Sequence, residues 1–308
     1  MEILMLLSLC LAQTIADRQP LEWELSTDDT RIVVGVSDHG PLLKRLADRQ
    51  RGLNWLASPV AVPLLNRVWI GPREVPVDWK LDEGTRDPAA GRLVLRFTSG
   101  NPQLVLRSVW RARPGRGPIE HWIEIENGCL ERVTLAHQDS LTLRGLQANG
   151  PAELWWIRRG GGNASSQGGT FHQPVEPRVD LILTSNCEDG ASPVPWLAVQ
   201  AGGERGLYVG WEFSGVGRIH ARAAERPGLF ELAVGNWPDF KTDVEPGETF
   251  LVPPAFVGCY AGDLDEGSYS LHRFVLEKLR PPVPAGCPDP ILAYNLYLDA
   301  GGNTAKEA

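Results

Sequence analysis

The stretch GRLVLRFTSGNPQLVLRSVWRARPGRGPIEHWIEIENG, residues 91–128, decides the fold. Its first part reads as two alternating strands about the turn Ser99-Gly100-Asn101-Pro102. From residue 118 the alternation is strict. Ile119, His121, Ile123 and Ile125 fall on one face, and Glu120, Trp122, Glu124 and Glu126 on the other. Period two is the spacing of a half-buried strand, because successive side chains point to opposite sides of the sheet. One face of this strand is therefore expected to be acidic. Long strands joined by Gly- and Pro-containing turns read as the antiparallel sheets of a β-sandwich.

Outward from this core the same pattern continues. LEWELST (21–27) and TRIVVGVS (30–37) read as strands about Asp28-Asp29. GPLLKRLADRQRGLNWL (40–56) reads as a connection to the strand NRVWI (66–70). Beyond ERVTLAHQDSLTLRGL (131–146), the segment RRGGGNASSQGGTFHQPVEP (158–177) reads as a polar, glycine-rich loop. Strands are expected again in VDLILTS (179–185), PWLAVQ (195–200), RGLYVGWEFSG (205–215), GRIHARAA (217–224), GLFELAVG (228–235), ETFLVP (248–253) and AFVGCY (255–260). Gly202-Gly203 and Ser214-Gly215 are expected as hairpin turns. At Gly262 the period changes. Leu264, Leu271, Phe274, Val275 and Leu279 stand at helical spacing, with acids at the start, Lys278 and Arg280 at the end, and Pro281-Pro282 as a stop. The tail PDPILAYNLYLDAGGNTAKEA (288–308) reads as a buried strand, a Gly-Gly turn and the start of a helix, the opening unit of a parallel α/β domain.

Composition agrees. The 308 residues are 43 % hydrophobic and 22 % charged, with 33 glycines and 25 prolines, which suits a turn-rich all-β protein. A net charge of −8 argues against nucleic acid as partner, since phosphate binding needs basic patches. The leading MEILMLLSLCLA (1–12) is too short to span a bilayer and partly matches a secretory leader, although Glu2 replaces the usual positive start. Cleavage would place the protein outside the cytoplasm, secreted or periplasmic; an uncleaved leader leaves it cytoplasmic. No other stretch is apolar enough for a membrane span. Cys129, Cys187, Cys259 and Cys287 remain after such a cleavage, an even number with no CxxC, so zinc is not expected and pairing is open.

No Gly-x-Ser-x-Gly elbow, HExxH or phosphate loop is present, and the six histidines lack metal-ligand spacing. No metal and no cofactor is expected. GDLDEG (262–267) lacks the calcium register and suits a helix N-terminus. His121, His137 and His220 read as strand residues. His172 is the candidate for a ligand contact, because it follows Phe171 in the long loop. Of Trp155 and Trp156, adjacent on a strand, one must enter the core and the other face outward; Trp156 is taken as the candidate sugar contact.

GERGLYVGWEFSG (203–215), VEPGETFLVPPAFVGCYAGDLDEGSYSLHRFVLEKLRPP (244–282) and PILAYNLYLD (290–299) together resemble the end of the N-terminal domain of the glycoside hydrolase family 36 α-galactosidases, the melibiases. GPIEHWIEIENGCLERVTLAHQDSLTL (117–143) is similar to the same domain further upstream. The resemblance implies a mostly β fold: a large antiparallel two-sheet supersandwich of the galactose mutarotase type, then a helical linker and a TIM barrel. With the leader read above at 1–12, the expected division is the sandwich at 20–262, the linker at 263–287, and the truncated barrel start at 288–308.

It also implies a carbohydrate partner, an α-galactoside or related α-glycoside, cleaved with retention by two carboxylates about 5 Å apart. In the family these lie on later barrel strands, so no catalytic residue is named and the chain is expected to be inactive alone. Asn295 matches an Asn of the family's first barrel strand. Leu296 replaces a frequent Trp, and an acidic pair is reduced to Asp299. In some members the sandwich reaches a neighbouring subunit's active site, so a homo-oligomer is among the implied arrangements. Two other functions remain: a standalone sandwich that binds sugar or protein, and a mutarotase-like epimerase using His121 or His172 with Glu124 or Glu153 as acid and base.

Overall fold

The computed structural model describes residues 21–37, 40–159, 168–185, 192–213, 215–284 and 286. The leader, Asn295 and Asp299, the expected barrel start, and Cys10, Cys187 and Cys287 lie outside the described residues. The first strands are β1 (Glu22–Ser26), β2 (Thr30–Ser37), β3 (Gly40–Asp48), β4 (Val60–Ala61), β5 (Arg67–Ile70), β6 (Arg73–Pro76) and β7 (Lys80–Asp87). There follow β8 (Arg92–Gly100), β9 (Gln103–Ala112), β10 (Ile119–Asn127), β11 (Val133–Leu135), β12 (Asp139–Gln147), β13 (Ala152–Arg158) and β14 (Gly169–Pro174). The last are β15 (Asp180–Ser185), β16 (Pro193–Ala201), β17 (Arg205–Trp211), β18 (Gly217–Ala223), β19 (Leu229–Gly235), β20 (Thr242–Val244) and β21 (Thr249–Ala261). Helix α1 (Leu264–Phe274) runs on into a π-helical turn, Val275–Leu279.

The molecule is a sandwich of antiparallel sheets. One layer is a nine-stranded sheet in the order β14-β13-β16-β17-β21-β10-β9-β8-β7. Against its inner face lie four-stranded sheets, β1-β2-β3-β4 and β12-β19-β18-β15, while β20-β11-β5-β6 adds Val68, Val133, Leu135 and Val244 to the same core. The 91–128 stretch forms β8, β9 and β10, paired in register from Gly100↔Gln103 and Ile119↔Ala112. Its apolar face, from Leu93, Leu95 and Phe97 to Ile119, Ile123 and Ile125, is almost wholly buried. Burial of that face, at roughly 25 cal/mol per Å² of apolar surface, drives the layers together.

Three expectations are corrected. Residues 40–48 are a strand, not a connection. Val33 pairs with Arg45 and Val34 with Leu43, so Lys44 is an extra residue bulging from the ladder, and the bulge hides the period-two pattern. Part of the expected 158–177 loop is β14, which pairs with β13 and carries His172 on an edge strand. β17 and β18 do not form the expected hairpin, because they belong to different sheets; Ser214 of the expected turn lies outside the described residues. The acidic face expected on β10 is present, and arginines of the neighbouring strand lie against it. Glu120 is fully buried, and Arg107 and Arg111 on β9 pair with its acids.

Asp28-Asp29 does join β1 and β2, but Asp29 is buried and clamps three segments. Its carboxylate accepts from the Gly117 N–H (2.9 Å), the Ser270 hydroxyl (2.6 Å) and Arg116 (3.1 Å). Helix α1 is capped by Asp263, whose side chain accepts from the Asp265 and Glu266 N–H groups. Its buried Ser270 and Phe274 pack it on the outer face of the large sheet beside β16, β17 and β21. Among the described residues no helix is long and apolar enough to cross a membrane, and Cys129 and Cys259 are free thiols.

Candidate functional site

Of the adjacent tryptophans, Trp156 is the inner one. It shares its face with Ala152 and Leu154, is 8 % exposed, and stacks on Phe171 at 6.0 Å. The candidate sugar contact Trp156 thus faces the core rather than outward, and its edge reaches a pocket beside Leu181 and Pro193. Trp155 takes the outer face and stacks on His172, 4.3 Å away and 13° from parallel. His172 Nδ1 stands 3.5 Å from Glu153 Oε1, both about half exposed. Glu153, Trp155 and His172 thus come together on the outer face near the sheet edge.

His121 and Glu124 do not come together, since they project from opposite faces of β10. The His121 ring is buried against Trp110. Its Nδ1 faces the Ser140 carbonyl, which only accepts, so Nδ1 carries the proton and Nε2 accepts from the Ser108 hydroxyl at 2.9 Å. Burial lowers its pKa to about 4, opposed by the Ser140 bond. It is a buried group held neutral at neutral pH.

The outer face of the large sheet carries a second charged group. Arg111 and Arg113 each bind Glu120 through two N–H groups, and the Arg111 guanidinium lies 5.1 Å from the Trp122 ring centroid. Beside them, burial and the Glu120 charge push the Glu212 carboxyl up to about 7, against the pull of Arg111 and Arg113. Further along, glycines and aromatic rings alternate across β17 and β21: Gly206 faces Tyr260, Tyr208 faces Gly258, and Gly210 faces Phe256.

A cleft of about 870 Å³ opens where β5, β12 and the 238–241 segment meet. The chain passes between sheets at 136–138, and this crossing places His137, Gln138 and Asp139 on the floor. Asp139 Oδ1 receives His137 Nε2 at 2.8 Å and Arg218 Nη2 at 3.2 Å, while Thr142 donates to Oδ2 at 3.4 Å. Gln138 accepts from the Leu65 N–H and donates to the Asp139 and Pro63 carbonyls. On the wall, Trp69 is half-buried; Lys241 Nζ lies 3.9 Å from its ring centroid and Arg67 Cζ 5.8 Å. Sequence reasoning placed His137 only as a strand residue and passed over Trp69, Asp139 and Lys241. The signal within reach was the His-x-Asp spacing in AHQD (136–139), which sets both side chains on one side of extended chain. Among the described residues no group of His, Cys, Asp and Glu is arranged to hold a metal ion.

No protein-family model matches the chain, and no curated protein matches it by sequence. Solved structures match it by fold. An α-galactosidase from Lactobacillus brevis superposes with a TM-score of 0.65 at 14 % identity, over 83 % of this chain and 42 % of the other. The GH36 α-galactosidase AgaA from Geobacillus stearothermophilus gives 0.64 at 12 %, over 81 % and 42 %. The galactosidase domain of the α-galactosidase–sucrose kinase AgaSK gives 0.65 at 13 %, over 85 % and 44 %. AgaA variants have been solved with raffinose and with stachyose. The likeness is one of fold, and the chain spans less than half the length of each of these proteins.

Proposed function

We propose that this chain is the non-catalytic β-sandwich domain of an α-galactosidase-like glycoside hydrolase acting on α-linked carbohydrates. The carrying observation is the superposition on α-galactosidases over more than four fifths of this chain and less than half of theirs. The state of the acids fits a supporting role. A retaining glycosidase needs two free carboxyl groups about 5 Å apart across the scissile bond. Here Asp139 is held by His137 and Arg218, and Glu120 by four guanidinium N–H groups. The chain as it stands is expected to release no nitrophenol from nitrophenyl α-galactoside. Turnover overturns the non-catalytic assignment.

The second reading, a sandwich that binds saccharide by itself, is favoured by the cleft beside Trp69. Saturable binding of α-galactosides to this chain supports it; their failure to bind at millimolar concentration removes it for that sugar class.

A further inference from the structure

We propose that Asn149-Gly150, in the turn between β12 and β13, is a site of spontaneous covalent modification, at which the asparagine loses ammonia and becomes aspartate or isoaspartate. Water is the co-reactant. The Gly150 main-chain nitrogen gives up its proton and attacks Asn149 Cγ, so that an N–C bond closes a five-membered imide ring. The Cγ–Nδ2 bond breaks, and ammonia leaves with that proton. Water then opens the imide at one of its two carbonyls. Opening at Cγ leaves aspartate on an ordinary chain. Opening at the main-chain carbonyl routes the chain through Cγ, as isoaspartate. A glycine after the asparagine favours ring closure, because no Cβ crowds the attacking nitrogen and its backbone is free to turn.

Asn-Gly occurs twice in the chain, and the fold treats the two copies differently. Asn127, before Gly128, is only 1 % exposed. Its Nδ2 donates to the Glu131 and Val244 carbonyls, both at 2.9 Å, and its Oδ1 accepts from the Cys129 N–H at 2.9 Å. The Gly128 N–H donates to the Gln103 carbonyl at 3.0 Å. Leaving group, carbonyl and nucleophile are thus all tied down, and reaction there requires those bonds to open. Asn149 and Gly150 are both exposed. Among the described residues neither the Asn149 side chain nor the Gly150 N–H makes a hydrogen bond. Gly150 has a φ of 113° and open space where a Cβ would stand. It lines a hollow of about 400 Å³ with Pro151, Pro174 and Glu176, which admits water to the turn. On either side the chain is anchored, by the Ala148 N–H on the Gly228 carbonyl (2.9 Å) and the Gly202 N–H on the Pro151 carbonyl (3.2 Å). Residues 149 and 150 are the free part of this connection. The site is independent of the glycosidase reading, and its product adds a negative charge to a chain of net charge −8.

The test is incubation of the full chain in mildly alkaline buffer, folded and in urea, followed by tryptic mass mapping. Peptide 145–158 carries Asn149, and peptide 117–132 carries Asn127. From the folded chain, 145–158 is expected to gain the mass difference between an amide and an acid. It should resolve into two products, of which an isoaspartyl methyltransferase labels one. Peptide 117–132 is expected to react at least about tenfold more slowly, because its buried hydrogen bonds must open first. In urea that difference is expected to collapse. Asn149→Gln, an exposed change that would need a larger ring, is expected to leave peptide 145–158 unmodified over the same period. The proposal is overturned by a folded chain whose 145–158 peptide keeps its amide or reacts no faster than 117–132. It is overturned equally by a rate difference that persists in urea, or by an Asn149→Gln peptide that reacts as the parent does.

Discussion

Tyr260 lies over Gly206 across the β17–β21 pair so closely that a Cβ on the glycine would meet the ring's Cζ at 1.9 Å. The relationship is reciprocal along the two strands. Tyr208 covers Gly258, and Phe256 covers Gly210, each with a ring carbon 2.2 Å from where a Cβ would stand. Gly206, Gly210 and Gly258 let the rings lie flat on the outer face, where helix α1 packs over them.

Gly206→Ala and Gly258→Ala are expected to displace those rings and destabilise the fold by about 1–3 kcal/mol each. Gly100→Ala, at a glycine with open space around it, is expected to stay within about 0.5 kcal/mol. Urea denaturation of the three variants decides this; equal midpoints for all of them would remove the packing argument.

His121 is expected to make stability fall with acid. The unfolded chain takes a proton on this imidazole below about 6.5, whereas the folded chain does so only near 4. Unfolding is therefore favoured as pH drops through that window, by on the order of 3 kcal/mol once complete, and no further below it. Proton NMR should show the His121 ring neutral at pH 5.5; a ring titrating at its ordinary value contradicts the assignment.

Glu212 acts in the opposite sense. Its folded pKa, raised to about 7, means that its contribution is present below the ordinary carboxylate range and lost as pH rises through 7. Glu212→Gln is expected to stabilise the protein by about 1–2 kcal/mol at pH 8, discounted for partial exposure, and by nothing at pH 4. A variant equally stable or less stable at pH 8 would show that the carboxylate finds a partner there.

Asp29→Ala should cost about 3 kcal/mol, because it leaves the buried Gly117 N–H and the Ser270 hydroxyl without their acceptor. Ser270→Ala should cost about 1 kcal/mol. Hydrogen exchange in α1 is the added readout. Loosening of the helix in Asp29→Ala, with β8 and β9 unchanged, is the expected result; protection unchanged in α1 denies the clamp.

The sequence by itself determined the class of the fold. Strict alternation through Ile119, Ile123 and Ile125, and the change to helical spacing with Asp263 as cap, are local patterns, and local patterns survive without knowledge of partners. It also carried, unread, the Gly-x-Tyr-x-Gly run of β17 against the Phe-x-Gly-x-Tyr run of β21. Tertiary structure alone decided the rest. The bulge at Lys44 is visible only once β2 is the partner of β3, and Glu120 is buried only because Arg111 and Arg113 close over it. Which of Trp155 and Trp156 faces the core followed from which side of β13 the second layer covers. The cleft joins Trp69, His137 and Lys241, far apart in the chain, because β5, β11 and β20 pair in one sheet. Such pairings depend on closing long loops between distant strands, and no periodicity within a strand records its distant neighbour.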